Sequence, residues 1–387
     1  MVLTPLTIET VETAGALAAL ETEWRALEAR CHVGLPFQTW NWNEAWWRHF
    51  AEDRLGVRDG LRVLAARTPD RELVGVVPMM LSRRPGVGPL CLRALGALGA
   101  DPNITELRGQ LSDPTHESQV YATLLEHLRG QAREWDWITW SGVRAGGEPE
   151  KLLAAAPDVS FVREIPNYLL ALPATWDEFK ANRPRNVKES LRKCYNSLKR
   201  DNYVFALEVA TTTSEVKAAL ERFIELHATR SQIKETVHHP NVFASPNARA
   251  FLFEVCERFA AAGQARIFQL RVNGTVVAVR IGFALGDTLY LYYSGYDPAW
   301  GKYSVMTTTV AEALKFAVEH GFRWANLSTG NDVSKTRWAP QEVVYREALQ
   351  LSPSWRGRLS GALYRVLTSS RLRPGVRALM GRRVRIS

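Results

Sequence analysis

The chain has 387 residues, of which 46% are hydrophobic and 23% are charged; these ordinary globular values exclude an intrinsically disordered chain. Its length exceeds that of one ordinary domain core, so we expect two domains. No apolar run approaches the roughly 18 residues of a membrane-spanning helix, and the first residues lack the pattern of a secretory signal. Four cysteines stand far apart without a Cys-x-x-Cys pair, which predicts reduced thiols in a cytoplasmic protein: Cys31, Cys91, Cys194 and Cys256.

The net charge of +9 is concentrated in two segments. Between Trp355 and Ser387 there are nine arginines and no acidic residue, so this tail accounts for the whole excess. Between Lys180 and Arg200, eight basic residues accompany Glu189 alone, a local charge of +7, and the remaining chain therefore sums to −7. The basic character describes these two segments and not the whole surface.

Helical and alternating patterns both occur in the first 165 residues. Pro78 lies within one strand-like run, which favours an edge strand or a bulge there. The predicted helices span 10–30, 42–52 and 118–135, and the predicted strands span 61–66, 73–81, 89–95 and 137–141.

A domain boundary is predicted near residue 165, where a strand-like segment ends at Pro173 and Thr175 opens a helix with capping-box spacing. Beyond it, hairpin-type turns at Asn273 and Gly286 join three successive strands, which predicts a mixed α+β layout with a central antiparallel meander. The predicted helices span 215–230, 246–263 and 304–320, and the predicted strands span 203–210, 265–272, 276–284, 288–296, 323–327 and 343–351.

Common catalytic and nucleotide-binding motifs are missing from the sequence. There is no GxxxxGK[ST], HExxH or GxSxG motif, and Gly86 and Gly88 continue into a proline turn and not into GxGxxG. Among eight histidines only His238 and His239 are neighbours, which is poor geometry for a shared ion. We therefore predict no metal site.

Two adjacent predicted strands carry polar side chains. On the first, Arg280 lies between small residues, so it either points into a cleft or lies on a solvated sheet face. On the second, a row of hydroxyls shares one face. These hydroxyls are either satisfied core groups or a source of hydrogen bonds and a general acid: Tyr290, Tyr292, Ser294 and Tyr296.

The turn after the second strand leads into a helix. It contains Gly301, Lys302 and Ser304. Free N–H groups and the positive end of the helix dipole predict an anion site there, with Lys302 adding a charge. Ser304 could equally be a plain N-cap.

The segment after the following strand is also polar. Asn326 begins a run of small polar residues that continues to Lys335, Arg337 and Trp338. Two cations and an aromatic side chain just past a strand end either contact phosphate or adenine or belong to a solvated loop.

Tryptophans are concentrated near the start of the chain. Their spacing of four and seven residues is typical of a core-facing helix stripe, and a carbohydrate platform is the alternative. The residues are Trp40, Trp42, Trp46 and Trp47.

Several motifs occur together along the chain. A Tyr-x-x-Gly-Tyr-Asp-Pro turn starts at Tyr292, a helix ends in His-Gly, and Gly-x-x-x-x-Lys-x-x-Trp runs from Gly330 to Trp338. A Pro-Phe-Gln segment at Pro36 precedes a Trp-Trp pair. This combination, over residues 10 to 350, resembles the GNAT-fold acetyltransferases of the cellulose-biosynthesis (CelD) type. More distantly it is similar to the Fem-type aminoacyl-tRNA-dependent transferases.

The resemblance implies tandem GNAT-like domains, each a mixed, mostly antiparallel sheet flanked by helices, the second binding acyl-CoA. In GNAT folds the pantetheine arm lies where the fourth and fifth strands splay, here 288–296 and 323–328, and the pyrophosphate lies at the next helix start. No glycine follows Gly301 there, which leaves weak coenzyme A binding or another ester donor open. The expected coenzyme A contacts are Ser294, Gly301, Lys302, Ser304, Asn326 and Lys335, and the expected acceptor contacts are Arg280 and Trp338.

The resemblance also places His227 near the acceptor cleft. With an ordinary pKa of about 6.5 it could take a proton from an amine, although a lone helical histidine can equally be structural. Tyr292 or Tyr296 would protonate the leaving thiolate, and backbone N–H groups near Ser294 would polarise the thioester. Because no cysteine lies in an activated triad, we expect direct transfer in a ternary complex.

The leading hypothesis is therefore an acyl-CoA-dependent N-acyltransferase acting on an amine of a small-molecule or sugar-linked acceptor. A second hypothesis is aminoacyl transfer from tRNA, with residues 180–200 gripping phosphates; otherwise this block is a solvated helix and no nucleic acid is involved. A third is a non-catalytic scaffold in exopolysaccharide assembly. The predicted domains are a GNAT-like domain at 1–165, an acyltransferase domain at 166–352 and a basic amphipathic tail at 353–387.

The tail carries apolar residues at helical spacing with arginines between them, on both sides of Pro374. Such a helix lies on an anionic membrane surface or docks on the acidic remainder of the protein. Peripheral membrane association is therefore one of two expectations for a cytoplasmic protein. The apolar positions are Trp355, Leu359, Leu363, Val366, Leu367, Val376, Leu379 and Met380.

Overall fold

The computed structural model describes residues 5–85, 91–101, 103–233 and 239–368, with side chains described up to Gly361. The chain divides into two compact units. Unit 1 consists of residues 5–31, 37–165 and 344–368, and unit 2 of residues 32–36 and 166–343. Of the sequence features singled out above, Gly86, Gly88, His238 and the tail positions beyond Thr368 lie outside the described residues.

The first part of the chain is rich in short strands. Its strands are β1 (Thr7–Val11), β2 (Asp53–Arg54), β3 (Val57–Leu61), β4 (Val63–Arg67), β5 (Leu73–Val77), β6 (Met79–Pro85), β7 (Cys91–Ala97), β8 (Leu111–Ser112), β9 (Trp137–Arg144) and β10 (Val159–Ala171). Its helices are α1 (Ala14–Ala19), α2 (Glu21–Arg30), α3 (Trp40–Phe50), α4 (Glu117–Gly130) and α5 (Glu148–Ala154).

The second part contains longer elements. Its strands are β11 (Phe205–Ala210), β12 (Ala265–Val272), β13 (Thr275–Leu285), β14 (Thr288–Tyr296), β15 (Trp324–Thr329) and β16 (Gln341–Leu351). Its helices are α6 (Trp176–Ala181), α7 (Arg185–Arg200), α8 (Thr213–Ser231), α9 (Pro246–Ala261), α10 (Val305–Glu319), α11 (Val333–Thr336) and α12 (Trp355–Thr368).

Unit 1 contains two groups of paired strands, and between β1 and β9 the chain crosses from one group to the other five times. The order β1-β4-β5-β8 forms one group, and β16-β9-β7-β6-β3-β2 forms the other. The predicted strand 61–66 is therefore wrong as a single element, because Arg62 separates β3 from β4. Pro78 likewise marks the crossing from β5 to β6, since proline has no N–H to donate to a ladder.

The predicted helix 10–30 is also corrected. Thr10 and Val11 belong to β1, which pairs antiparallel with β4. The helix begins only at Ala14, where the Thr13 hydroxyl accepts a hydrogen bond from the Ala16 N–H at 3.1 Å. Alternating β-branched residues at 7–11 complete a sheet, and this tertiary pairing overrides the helical pattern that follows.

The core of unit 1 is built around buried tryptophans. The Trp42 indole donates to Thr105 at 3.1 Å and the Trp46 indole donates to Asp101 at 2.7 Å. Trp40 is buried as well, so α3 presents a core-facing stripe, as one of the two sequence interpretations predicted. Trp47, by contrast, is half-buried.

Unit 2 has the strand order β11-β12-β13-β14-β15-β10. Strands β12, β13 and β14 form the predicted antiparallel meander, and β14 then pairs with β15 in parallel through the crossover helix α10. Residues 344–351, which the sequence analysis placed in the second domain, pair with β9 in unit 1. The overall class is α+β, and in each unit mostly antiparallel strands are flanked by helices.

The basic segment 180–200 is largely the helix α7. One face is buried in unit 2 at a spacing of four and three residues, and α10 packs beside it. The opposite face carries the exposed basic residues. The buried residues are Val187, Leu191, Cys194 and Leu198.

Within the described residues, no helix is long and apolar enough to cross a bilayer.

Candidate functional site

The two parallel strands of unit 2 separate after a short paired stretch. Thr288 pairs with Trp324 and Tyr290 with Asn326, and the parallel pairing ends there although β14 continues to Tyr296. Strands that leave a parallel pair in this way expose backbone groups between them. The second half of β14 and the end of β15 therefore border the candidate site.

A β-bulge lies in the same half of β14. Arg280 on β13 pairs with Ser294, whereas Gly282 pairs with Leu291, so β14 contains one extra residue. The half-buried Arg280 guanidinium donates to the Leu291 carbonyl at 3.0 Å. This bond satisfies a carbonyl at the bulge, which is a structural task, and contact of Arg280 with an acceptor stays a prediction.

The bulge also interrupts the predicted row of hydroxyls. Tyr292 is buried and packs on Phe283 with ring centroids 5.8 Å apart. The next residue, Tyr293, contacts the rings of His227 and Phe243 at 5.6 and 5.3 Å. Strict alternation would separate Tyr292 from Tyr293, but the extra residue brings their rings to 4.6 Å from each other.

His227 lies on α8 against β14. The helix approaches β14 so closely at Gly295 that a Cβ on this residue would lie 2.5 Å from the backbone nitrogen of His227. The imidazole Nδ1 is 3.0 Å from the Ser294 carbonyl oxygen. Because a carbonyl only accepts, Nδ1 carries the proton in the neutral ring.

The other ring nitrogen of His227 is therefore an acceptor. Nε2 is buried and has no hydrogen-bond partner among the described residues. Burial lowers the pKa of His227 below its ordinary value; the Ser294 carbonyl opposes this shift, and the nearby Arg230 and His239 favour it. At neutral pH the side chain is a neutral base.

Arg230 completes the cluster, and sequence reasoning missed it. Its guanidinium donates to the Ser294 hydroxyl at 2.9 Å and lies 2.9 Å from His239 Nε2. It also lies over the Tyr296 ring, 5.8 Å from the centroid. The available signal was the spacing of three residues from His227, which places both side chains on one face of a helix.

The end of β15 supplies further polar groups. Asn326 is buried and accepts from the Ser328 N–H at 2.9 Å. The Lys335 ammonium donates to the Thr329 carbonyl and lies 3.4 Å from the Ser328 hydroxyl. Asn326 and Lys335, both predicted as coenzyme A contacts, therefore lie beside the separated strands. The ammonium group of Lys335 supplies a positive charge there.

Asp332 is a second group that the sequence analysis did not assign. Burial would raise its pKa, but hydrogen bonds from Ser334 and the charges of Lys335 and His239 lower the pKa below its ordinary value. The carboxylate caps α11 by accepting from the Ser334 N–H at 2.7 Å. It is an ionised group beside the cations of the cluster.

The start of α10 differs from an ordinary capped helix. Ser304 has φ of 56° and its side chain makes no capping hydrogen bond, and the first turn contains no acidic residue. Free N–H groups at such a start favour an anion. Lys302 is exposed and lies 4.8 Å from the Tyr303 ring centroid; the Tyr303 hydroxyl, with Asp201 contributing, raises the pKa of Lys302.

Trp338 belongs to the core of unit 2. Its side chain is 2% exposed and packs on Phe179 with centroids 6.4 Å apart. Its carbonyl accepts from Arg183 at 2.7 Å, and Arg337 donates to Ser190 at 2.6 Å. These contacts anchor the loop to α6 and α7, and the structure offers no support for a ligand contact by Trp338.

The predicted residues thus fall into four groups. His227, Ser294 and Tyr296 meet around Arg230, and Asn326 and Lys335 border the strand ends. Gly301, Lys302 and Ser304 lie at the start of α10. Arg280, Tyr292 and Trp338 are engaged in bulge and core packing. In the part of the chain that the structure describes, no group of three His, Cys, Asp or Glu side chains is placed to hold a metal ion.

Known protein families give an independent view of unit 2. Residues 185–338 match the family described as "Acetyltransferase (GNAT) domain". This segment is therefore similar to GNAT domains. It contains α8, the meander, α10 and the polar loop after β15, so the family match covers every group of the candidate site.

Solved structures with similar folds cover nearly the whole chain. The structure of FemX has 13% identity and a TM-score of 0.57, covering 89% of this chain and 98% of that one. A conserved protein of unknown function from Bacteroides thetaiotaomicron VPI-5482 has 12% identity and a TM-score of 0.51, covering 89% and 100%. A tandem GNAT protein from the clavulanic acid biosynthesis pathway has 12% identity and a TM-score of 0.48, covering 90% and 99%. Curated protein sequences give no match.

Proposed function

We propose that unit 2 transfers an acyl group from an acyl-CoA thioester to an amine of a small-molecule or sugar-linked acceptor, as an enzyme of the CelD type. The GNAT domain match and the separation of β14 from β15 support an acyltransferase. The finer assignment rests on the chemistry of the groups around these strands.

The observation that carries the proposal is the state of His227. Its Nδ1–H is held by the Ser294 carbonyl, and its buried Nε2 is an unprotonated acceptor without a partner in the described residues. A neutral base beside the strand that borders the donor can accept the proton of an attacking amine. The amine nitrogen then bonds to the thioester carbon and the carbon–sulfur bond breaks.

The leaving thiolate needs a proton. Tyr292 is buried against Phe283, whereas Tyr296 is half-buried at the end of β14 beside Arg230. We therefore assign Tyr296 as the proton donor and Lys335 as a cation that favours the developing negative charge. Transfer is direct, with acceptor and donor bound together.

The donor fits the start of α10. Uncapped N–H groups, no acidic residue in the first turn and the neighbouring Lys302 suit the pyrophosphate of coenzyme A. Calorimetric titration with acetyl-CoA and with longer acyl-CoAs tests this directly. Binding of at least one acyl-CoA is expected, and the absence of heat with all of them contradicts the proposal.

A scaffold without catalysis is separated from an enzyme by a pair of variants. Arg280→Ala removes the bond to the bulge at Leu291 and is expected to reduce acyl transfer. Arg323→Ala changes a 76% exposed arginine at the start of β15 and is expected to leave activity unchanged. Absence of acyl transfer in the unchanged protein as well as in both variants would favour the scaffold.

A second candidate is aminoacyl transfer from charged tRNA, and the exposed face of α7 is the observation that favours it. Arg185, Lys188, Arg192, Lys193 and Lys199 are exposed there. Phosphate contacts release counterions, so tRNA affinity would fall steeply with salt concentration. A gel shift without retained tRNA removes this candidate.

We also propose a peripheral contact with anionic membranes through the start of the tail. Arg356 donates to the Cys91 carbonyl at 2.8 Å, so the first turn of α12 is docked on unit 1, while Trp355 and Leu359 are 70% and 43% exposed. Exposed apolar side chains among arginines favour an anionic lipid surface. Sedimentation with phosphatidylglycerol vesicles at low salt should carry down the full chain but not a Trp355→Ser, Leu359→Ser variant.

A further inference from the structure

Unit 1 has a groove of its own, with a volume of about 370 Å³. This volume falls in the range of small-molecule sites. The groove lies beside the end of α3 and over β3 and β6. Its lining residues are Glu12, Trp47, Arg58, Asp59, Gly60, Leu61, Arg62, Leu81 and Arg83.

Two arginines face each other across strands at this groove. Arg58 on β3 is directly opposite Arg83 on β6, and register partners point to the same face of a sheet. Like charges directly opposite each other destabilise a sheet. The Arg58–Arg83 pair therefore lowers the stability of the ligand-free protein.

Carboxylates in the described residues neutralise this pair only in part. The nearest one to Arg58 is Asp53, at 3.9 Å, with both side chains mostly exposed. No described carboxylate lies within ion-pair distance of Arg83. The next arginine of the same row shows the contrast, because Arg93 is held by the buried Asp136 at 3.0 Å.

The other charges of the groove are already engaged. Arg62 is paired with Glu12 and, at 2.8 Å, with Glu134. Asp59 is buried and pairs with Arg84 at 2.8 Å. The unbalanced positive charge of the groove thus belongs to Arg58 and Arg83.

An aromatic surface lies beside these arginines. Trp47 is half-buried and forms no ring contact with another described aromatic side chain, unlike Trp46, which packs on Phe50. The floor is low at Gly60, where a Cβ would meet only the Leu81 carbonyl oxygen at 3.8 Å. An indole wall over an open floor accommodates the apolar C–H face of a sugar ring.

We propose that this groove binds an anionic saccharide, whose ring lies against Trp47 and whose carboxylate or phosphate is held by Arg58 and Arg83. Charge-assisted bonds from two guanidinium groups are the strong contacts for such an anion. The hydroxyls meet the polar Glu12–Arg62 pair. All of these residues belong to unit 1, so the site is independent of acyl transfer by unit 2.

The first experiment is calorimetric titration of the full chain with glucuronate, glucose 6-phosphate, glucose, inorganic phosphate and AMP. Binding of glucuronate or glucose 6-phosphate, weakened by salt and tighter than that of glucose or phosphate, supports the site. The stronger of the two acidic sugars identifies the acidic group. No heat with either, equal binding of glucose, or tighter binding of AMP overturns the proposal.

The second experiment measures melting temperature and affinity in Arg83→Gln, because a change in both separates a ligand-binding arginine from a structural one. Because it removes the cross-strand repulsion, the melting temperature of the ligand-free variant is expected to rise, while affinity falls about 10- to 100-fold. Trp47→Leu keeps an apolar side chain and is expected to weaken binding about 3- to 10-fold. The matched control, Arg323→Gln in unit 2, changes neither quantity. A lower melting temperature with unchanged affinity in Arg83→Gln contradicts the site.

Discussion

The two units contain the same β-α-β step with different contents. In unit 1, α4 joins the parallel strands β7 and β9, and in unit 2, α10 joins the parallel strands β14 and β15. Both parallel pairings are short: the first runs from Ala94–Trp137 to Gly96–Thr139, and the second from Thr288–Trp324 to Tyr290–Asn326.

The strands beyond these pairings are used differently. In unit 1, Gly142 on β9 is covered by Arg108 and Gly109, so closely that a Cβ would overlap the Arg108 carbonyl oxygen. Unit 1 therefore fills the space along β9 with its own backbone. In unit 2 the half of β14 that extends beyond the parallel pairing borders His227, whose Nε2 has no partner in the described residues. The same topology thus fills this space with backbone in one unit and leaves a buried histidine nitrogen beside the strand in the other.

The largest expected effect distinguishes the two units through one histidine in each. In His227→Asn the introduced amide can still donate to the Ser294 carbonyl, but the variant lacks the base, so kcat for acyl transfer should fall about 100-fold or more. His127 on α4 of unit 1 is half-buried with a pKa that burial also lowers, and His127→Asn should leave kcat unchanged. Steady-state kinetics of both variants decide the matter; a similar loss in both would erase the contrast.

Two glycines test the close approaches of the two units. Gly142 has φ of 70° and no room for a Cβ, so Gly142→Ala should destabilise unit 1 by roughly 2–4 kcal/mol without changing kcat. Gly295→Ala would push α8 from β14 and move His227, so it should lower both stability and kcat. Denaturant unfolding and kinetics below the melting temperature separate the outcomes. An unchanged kcat in Gly295→Ala would contradict a catalytic role for His227.

A buried acid in unit 1 should affect stability alone. Burial raises the pKa of Glu28 to about 7, although its carboxylate accepts from the Trp40 N–H at 2.6 Å. Because the pKa of Glu28 is higher in the folded than in the unfolded protein, the free energy of unfolding falls as the pH rises from about 4.5 to about 7. Glu28→Gln should therefore stabilise the protein by about 1–3 kcal/mol at pH 8 and by much less at pH 5. Urea unfolding at the two pH values measures this, and an equal effect at both would contradict the raised pKa.

The smallest expected effect is a displaced limb in the pH profile of unit 2. Burial lowers the pKa of His227, so this side chain stays unprotonated until the pH falls below 6.5, the ordinary pKa of a histidine. The acid limb of kcat/KM should therefore have its midpoint below 6.5. A profile of initial rates from pH 5 to 8 shows the limb, and its persistence in His227→Asn would assign it to another group.

Local patterns predict the regular elements of unit 2 well. Strands 265–272 and 288–296 agree with β12 and β14 because alternation and turn residues coincide there. In unit 1, β3 and β4 were merged because only tertiary pairing distinguishes two strands separated by a single residue, Arg62. The crossing at Arg62 has no local signature, unlike the one that Pro78 marks between β5 and β6.

The candidate site is predictable only in part for the same reason. His227 and Ser294 are far apart in the sequence, and the resemblance to a family brought both forward; the structure places them 3.0 Å apart. Their catalytic roles stay predictions. His239 and Asp332 join Arg230 through folding alone, since no motif connects residues so distant along the chain.

The return of the chain to unit 1 has a consequence for biosynthesis. β16 pairs with β9, and the Gln350 side chain accepts from the Trp140 indole at 2.9 Å. These residues leave the ribosome only after all of 166–343 has been made, a delay of roughly 10–40 s at typical translation rates. During that time one side of β9 is an open strand edge, the kind of surface on which nascent chains associate. The speed of translation across residues 166–343 should therefore influence the yield of protein in which unit 1 is correctly folded.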